Sequence, residues 1–283
     1  MTYSDQKSYF GHQHVTVMEP PKGWRLLDWR ELWAYRELLW VLTARDIKVR
    51  YKQTVLGAAW AIIRPFTTMV LFSVVFGQLA KMPSDGFPYP VFVYAGLLPW
   101  TFFASAISAS GQSLVGSAQL VSKVYFPRLI IPLASAGSGL VDLLISTGIL
   151  LLLMLWYGVG WSWNLLAAPF LLLAVVFTAL GVGTLLSALT VAYRDFTHVT
   201  PFLIQVWMFV TPVIFPLSLV PERWQWLLYL NPMTGLVEGF RAAFLGQAFD
   251  PAGLAISTVI ALTFFAVGVA YFEKVERRFA DII

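Results

Sequence analysis

Six apolar runs, at residues 60 to 80, 91 to 115, 130 to 156, 165 to 191, 199 to 220 and 252 to 272, constrain this chain more than any other feature. Each is near or above the ~20 residues a helix needs to cross ~30 Å of hydrocarbon. Lipid offers no partner to backbone N–H and C=O groups, so such runs fold as helices that satisfy their own backbone. Composition agrees, with 58% of the 283 residues hydrophobic and 12% charged, against about 25% charged in soluble domains. The expected fold is an all-α membrane protein with a tail at 1–27, an amphipathic interface helix at 28–52 and a six-span domain at 53–283.

Charge sets the orientation. An even number of spans puts both termini on one side, and all of the 19 Lys and Arg residues except Lys81, Arg223 and Arg241 fall in segments on that side. The positive-inside bias makes that side cytoplasmic. The net charge of +4 therefore marks sidedness and not nucleic-acid binding. The first fifty residues are too polar and too long for a signal peptide. The absence of cysteine excludes disulfides, zinc-finger sites and thiol nucleophiles.

One further apolar stretch fails as a span. Residues 221 to 246, PERWQWLLYLNPMTGLVEGFRAAFLG, are interrupted by Asn231, Pro232 and Gly235. Non-helical backbone at membrane depth survives only where protein buries it or where it borders a water-filled path. Two short half-helices dipping into the outward face satisfy that condition. Elements of this kind line or gate a route. Glu238 and Arg241 sit three apart on the second half, where they either pair locally or bind polar groups of a substrate.

At the other end, residues 28 to 50 read as a surface helix opened by Asp28 and Glu31 in capping-box-like spacing. Trp29, Leu32, Trp33, Leu39, Trp40 and Ile47 are expected on one side, with Arg30, Glu37 and Lys48 on the other. Arg36 falls inside the apolar stripe and must snorkel. The helix is either an anchor that fixes topology or a docking surface for a cytoplasmic partner. The spans show no internal repeat, which weakens a secondary-transporter reading.

Catalytic chemistry is poorly supported. The nucleotide-binding pattern G-x-x-x-x-G-K-S/T does not occur, nor does H-E-x-x-H, and the histidines stand apart at His12, His14 and His198. No metal site is expected, and the outward acids are only Asp85, Glu222, Glu238 and Asp250. Polar stripes are more informative. Thr101, Ser105, Ser108 and Gln112 share one helical face of the second span, and Ser135, Ser138, Asp142 and Ser146 share one face of the third. Such stripes either line a hydrated conduit or let helices approach closely. Asp142 lies well inside its span, where a charge calls for a basic or hydroxyl partner; either it is a structural residue protonated or hydrogen-bonded within the bundle, or, with no second acid or histidine to form a relay, it lines or locks the path. Trp156, Tyr157, Trp161 and Trp163 read as an interfacial belt. Trp100, Phe102 and Phe103, and Trp224, Trp226 and Tyr229, are candidates to stack on the C–H faces of sugar rings. In the short cytoplasmic segments, Lys123, Arg128, Arg194 and Asp195 meet either lipid headgroups or a motor subunit, and Asp195 can cap the helix that follows.

Five ordered blocks carry a resemblance. They are Y-K-Q-T-V-L-G-A-A-W-A near 51 to 61, G-L-L-P-W at 96 to 100, V-S-K-V-Y-F-P-R-L-I-I-P at 121 to 132, A-Y-R-D-F at 192 to 196 and L-N-P-M-T-G-L-V-E-G-F-R at 230 to 241. Together they resemble the polysaccharide-export permeases of ABC transporters, the membrane subunits that move O-antigen, capsule or teichoic acid precursors. The resemblance runs from about residue 25 to the end. It implies a homodimer of six-span subunits in the bacterial inner membrane, above a separate ATP-binding subunit dimer that holds ATP and Mg, with a lipid-linked glycan as substrate. It also implies re-entrant half-helices at about 222 to 230 and 233 to 245. By position it assigns Arg45, Lys48, Lys123, Arg128, Arg194 and Asp195 to contacts with the ATPase or a substrate gate. Arg64, before Pro65, departs from the uncharged polar residue expected there. Two other classes remain open from the sequence: a drug or small-lipid exporter of the same architecture, and a proton-coupled carrier using Asp142.

Overall fold

The bilayer-spanning helices differ sharply in how much of each is buried by the rest of the chain. In the computed structural model, which describes residues 29–52, 59–276 and 279, every regular element among the described residues is helical. The tail at 1–27 and the capping residue Asp28 lie outside the described residues.

Helices α1 (Trp29–Ala34) and α2 (Arg36–Lys52) occupy the segment expected as the interface helix. Tyr35 separates them without breaking the bonding pattern, because the Tyr35 and Leu39 amides donate to the Glu31 and Tyr35 carbonyls at 3.1 Å each. The apolar residues divide differently from the expected single stripe. Leu32, Tyr35, Leu38, Leu39 and Leu42 pack inward against a core holding Leu114, Phe126, Ile130 and Phe272. Trp33 and Trp40 are exposed, with Arg36 between them donating to the Trp33 carbonyl at 3.2 Å. Adjacent positions are ~100° apart on a helix, so tryptophans one residue beyond the leucines turn away from the core.

The first span is α3 (Ala59–Phe72), continued by a π-helix over Ser73–Leu79 that the sequence did not announce. The second, α4 (Tyr89–Gly116), is apolar on every side over residues 91–100 and becomes the central helix. After a short α5 (Ala118–Lys123), α6 (Ile130–Gly137) and α7 (Gly139–Trp156) form one span with Ser138 between them. Helix α8 (Ala168–Ala192), entered through a 3-10 turn at Trp163–Ala167, packs against α4 and against the last helix. Then come α9 (Phe196–Val210), α10 (Glu222–Tyr229), α11 (Pro232–Leu245) and α12 (Pro251–Val275). Helices α8 and α12 nearly touch by their backbones, since a Cβ on Gly268 would lie 2.0 Å from the Gly181 carbonyl oxygen.

Five of the six expected spans are long and apolar enough to cross a membrane: Ala59–Leu79, Tyr89–Gly116, Ile130–Trp156, Trp163–Ala192 and Pro251–Val275. The expected run from 199 to 220 is corrected. Its helix α9 has 15 residues and stops at Val210. At ~1.5 Å per residue that is about 22 Å, short of ~30 Å of hydrocarbon. Pro212 is the cause, because it pushes the preceding Thr211 into the extended region, at φ −91° and ψ 136°. Hydropathy counted residues 211–220 into the span because they are apolar, although they cannot continue its helix.

Candidate functional site

The break after α9 explains the buried charge in α11. Over residues 213–215 three successive carbonyls have no helix to receive them, and each is satisfied by a side chain. Arg241 donates through Nη2 to the Val213 carbonyl at 2.6 Å and through Nη1 to that of Phe215 at 3.3 Å. Tyr89 donates its hydroxyl to the Ile214 carbonyl at 2.7 Å. Arg241 also reaches the Phe92 carbonyl at 3.4 Å and Glu238 at 2.9 Å, and its guanidinium lies 3.8 Å from the centre of the Phe92 ring. The planar fork of arginine can serve several acceptors at fixed angles, as an ammonium cannot. Gly96 makes room, because a Cβ there would stand 2.8 Å from Arg241 Nη2. The Glu238–Arg241 pair therefore forms at its expected spacing. Its arginine is fully buried, however, and presents no polar face within the protomer.

Asn231 joins the two short helices to this break. Its Oδ1 accepts the Met233 amide at 3.0 Å, capping α11, and the Trp207 indole N–H at 2.8 Å. Its Nδ2 donates to Thr211 Oγ1 at 2.9 Å. Helix α11 is buried along nearly its whole length, whereas α10 leaves Trp224 and Trp226 exposed. Tyr229, at the end of α10, is buried and donates to Asp250 Oδ2 at 2.5 Å. Asp250 also receives the Ala252 and Gly253 amides at the start of α12. The Tyr229 hydroxyl and these amides hold the Asp250 carboxyl below the usual range.

The proposed path-lining residues divide into two groups. Thr101, Ser105 and Ser108 are partly exposed and Gln112 is exposed, so a polar face does run along α4. Trp100, Phe102 and Phe103 do not join it. All three are buried in the core, where Phe103 meets Trp207 edge-on at 5.1 Å, and this corrects their reading as sugar-stacking surfaces within one chain. They follow the same helix as the serines but lie on its protein-facing side. Ser105 also serves packing, since a Cβ on Gly139 would lie 3.3 Å from its hydroxyl. On the third span, Ser138 and Ser146 are buried and Ser135 is partly so.

Asp142 has both kinds of partner that its position demands. Arg50 Nη1 donates to Oδ2 at 2.5 Å, and the Tyr51 hydroxyl donates to Oδ1. Arg50 Nη2 reaches Ser138 at 3.1 Å, and Ser135 donates to Asp46 at 3.3 Å. Burial and the Asp142 carboxylate push the Tyr51 phenol up to about 12, so it remains a donor. Sequence reasoning asked for a partner and missed which one, because Arg50 and Tyr51 lie on another helix 92 and 91 residues away. The usable signal was a basic residue in the last turn of the interface helix.

The loop residues also separate. Lys48, Lys123, Arg194 and Asp195 are exposed. Arg45 pairs with its neighbour Asp46 at 2.9 Å, and Arg128 donates to the Glu276 carbonyl, tying its loop to the end of α12. Asp195 occupies the cap position of α9 but its side chain makes no capping bond. Trp156, Tyr157, Trp161 and Trp163 are all exposed, as a belt requires.

Comparison with known proteins accounts for most of the chain. It is 27% identical over 251 residues to the O-antigen export system permease protein RfbA of Klebsiella pneumoniae, covering 87% of this chain and 95% of that one. It is 29% identical over 258 residues to the protein of the same name from Myxococcus xanthus, covering 90% and 98%. It is 24% identical over 243 residues to the polysialic acid transport protein KpsM of Escherichia coli, covering 83% and 92%. The family model described as ABC-2 type transporter matches residues 37–245, from the interface helix to the end of α11. A chain matched over that length, with five helices long and apolar enough to cross a membrane among its described residues, belongs to the ABC-2 type transporter membrane family.

Proposed function

We propose that this chain is the permease subunit of an ATP-driven exporter that moves a lipid-linked polysaccharide, O-antigen above all, across the bacterial inner membrane. The observation that carries this reading is the likeness, over 87% to 90% of the chain, to proteins named as O-antigen export permeases. Two copies form the channel, and α9 together with the apolar chain after it makes the sixth crossing, which puts both termini on the cytoplasmic side that the lysine and arginine distribution favours. A separate pair of subunits binds ATP and Mg and hydrolyses the nucleotide beneath the exposed Lys48, Lys123, Arg194 and Asp195. The half-exposed face of Thr101, Ser105, Ser108 and Gln112 fits a hydrated path for a sugar chain. Helices α10 and α11 are the re-entrant half-helices at its outer end. There α11 is the fixed half and α10 is the half that borders the exit, with Trp224 and Trp226 exposed on it and the buried Tyr229 tying it to Asp250.

Nothing favours a proton-coupled carrier, because Asp142 is engaged by Arg50 and Tyr51. Deletion of this chain in its own cell tests the proposal. Surface polysaccharide is lost and lipid-linked glycan accumulates inside, and a copy of the gene restores both. Surface polysaccharide that persists in the deletion strain defeats it.

A further inference from the structure

The interface helix and the third span are tied together over two helical turns. Thr43 lies against Gly137, where a Cβ would come 3.4 Å from Thr43 Cγ2. Ser135 donates to Asp46 at 3.3 Å. Arg50 then bridges Ser138 and Asp142, and Tyr51 completes the second oxygen of the Asp142 carboxylate. These contacts draw on one face of α2 and on both pieces of the third span, α6 and α7. The opposite face of α2, with Trp40, Val41, Lys48 and Val49, is exposed.

Stability does not explain this ladder. The Arg50 and Asp142 side chains keep 33% and 30% of their exposure, and a partly buried ion pair is weak evidence for stability. A charge inside a span is costly, and an apolar pair at these positions would avoid that cost. What a charged, hydrogen-bonded pair supplies and an apolar contact does not is a single register between two helices. The register fixed here is that of a surface helix against a membrane-spanning one.

We infer that Arg50 and Asp142 are positioning residues that lock the interface helix to the third span, so that the two move as one lever. A displacement imposed on the interface helix from the cytoplasmic side is thereby delivered to α7, whose neighbour α4 carries the half-exposed polar face. The inference rests on the exporter reading for the source of that displacement. Rigidity of the joint itself does not depend on it.

The chain has no cysteine, so introduced pairs report without background. Spin labels at Val49→Cys and Leu144→Cys, both exposed positions, are placed in the full complex with its ATP-binding subunits. The distance between them stays the same with and without ATP, and a nucleotide-dependent change overturns the inference. This readout needs no export, so it separates failure of the joint from failure of the exporter reading. A second arm joins Thr43→Cys to Gly137→Cys by oxidation. Export continues at the rate of the reduced control, and a block that reductant relieves overturns the inference. In Arg50→Gln the label distance becomes nucleotide-dependent and ATP-coupled export falls about tenfold, equivalent to ~1.4 kcal/mol of lost coupling. The exchange Arg50→Asp with Asp142→Arg recovers part of that loss. Arg50→Gln with both distance and export unchanged removes the positioning role.

Discussion

Arg241 and Asp142 are both charges inside an apolar bundle, and they are held in opposite ways. Arg241 is completely buried and spends its donors mainly on the carbonyls of Phe92, Val213 and Phe215. Asp142 is 30% exposed and is held by side chains, those of Arg50 and Tyr51. A charge bonded to backbone in a dry site is part of the fold, because removing it strands several buried acceptors at once. A charge bonded to side chains at a partly exposed site strands no buried backbone acceptor when it is removed. The first end of the molecule is therefore a staple and the second a joint.

This difference predicts a graded series in the thermal or denaturant stability of purified protein. Arg241→Lys has the largest effect, about 3 kcal/mol, because one ammonium cannot reach carbonyls of three residues as well as Glu238. A change within about 0.5 kcal/mol of wild type would end the staple account. Gly96→Ala follows at about 1–3 kcal/mol, since its Cβ meets Arg241 Nη2 at 2.8 Å and the Val213 carbonyl oxygen at 3.2 Å. Asp142→Asn costs about 1 kcal/mol, because the amide oxygen still accepts from Arg50 or Tyr51 and no buried backbone acceptor is stranded. A loss as large as that of Arg241→Lys would erase the contrast between the two ends.

Tyr229→Phe gives an effect of comparable size, about 0.5–1.5 kcal/mol, and adds a pH signature. The folded-state value of Asp250 lies below the ordinary one, so its contribution is present above ~3.9 and is lost as pH falls through the lowered value. Stability of the phenylalanine variant declines less over that acid range than stability of the native chain. Equal acid sensitivity in both would show that the Tyr229 hydroxyl does not hold Asp250.

Much of this was legible in the sequence, and the exceptions share a cause. Apolar length located Ile130–Trp156 and nearly matched the four other spans, because lipid leaves helices few alternatives. Asn231 and Pro232 marked the boundary between α10 and α11 for local reasons of capping and missing amides. Whatever depended on a second element was missed. The sequence paired Arg241 with Glu238 on its own helix, while the carbonyls that bury it belong to residues 26 to 149 positions away. Trp100 and Phe103 are core and not surface because α4 happens to be central, which hydropathy alone does not reveal. Trp33 and Trp40 carried the apolar signal of the interface helix, but the core chose the leucines beside them. The overlong fifth run failed for the simpler reason that apolar composition was counted without Pro212.

The account as a whole rests on this chain being a passive conduit whose direction comes from a partner. The most direct measurement places the purified chain in vesicles, with and without its ATP-binding subunits, and follows delivery of lipid-linked glycan across the bilayer. The account predicts delivery only when both proteins and ATP are present. Delivery by this chain alone, at the same rate with or without ATP, would contradict it.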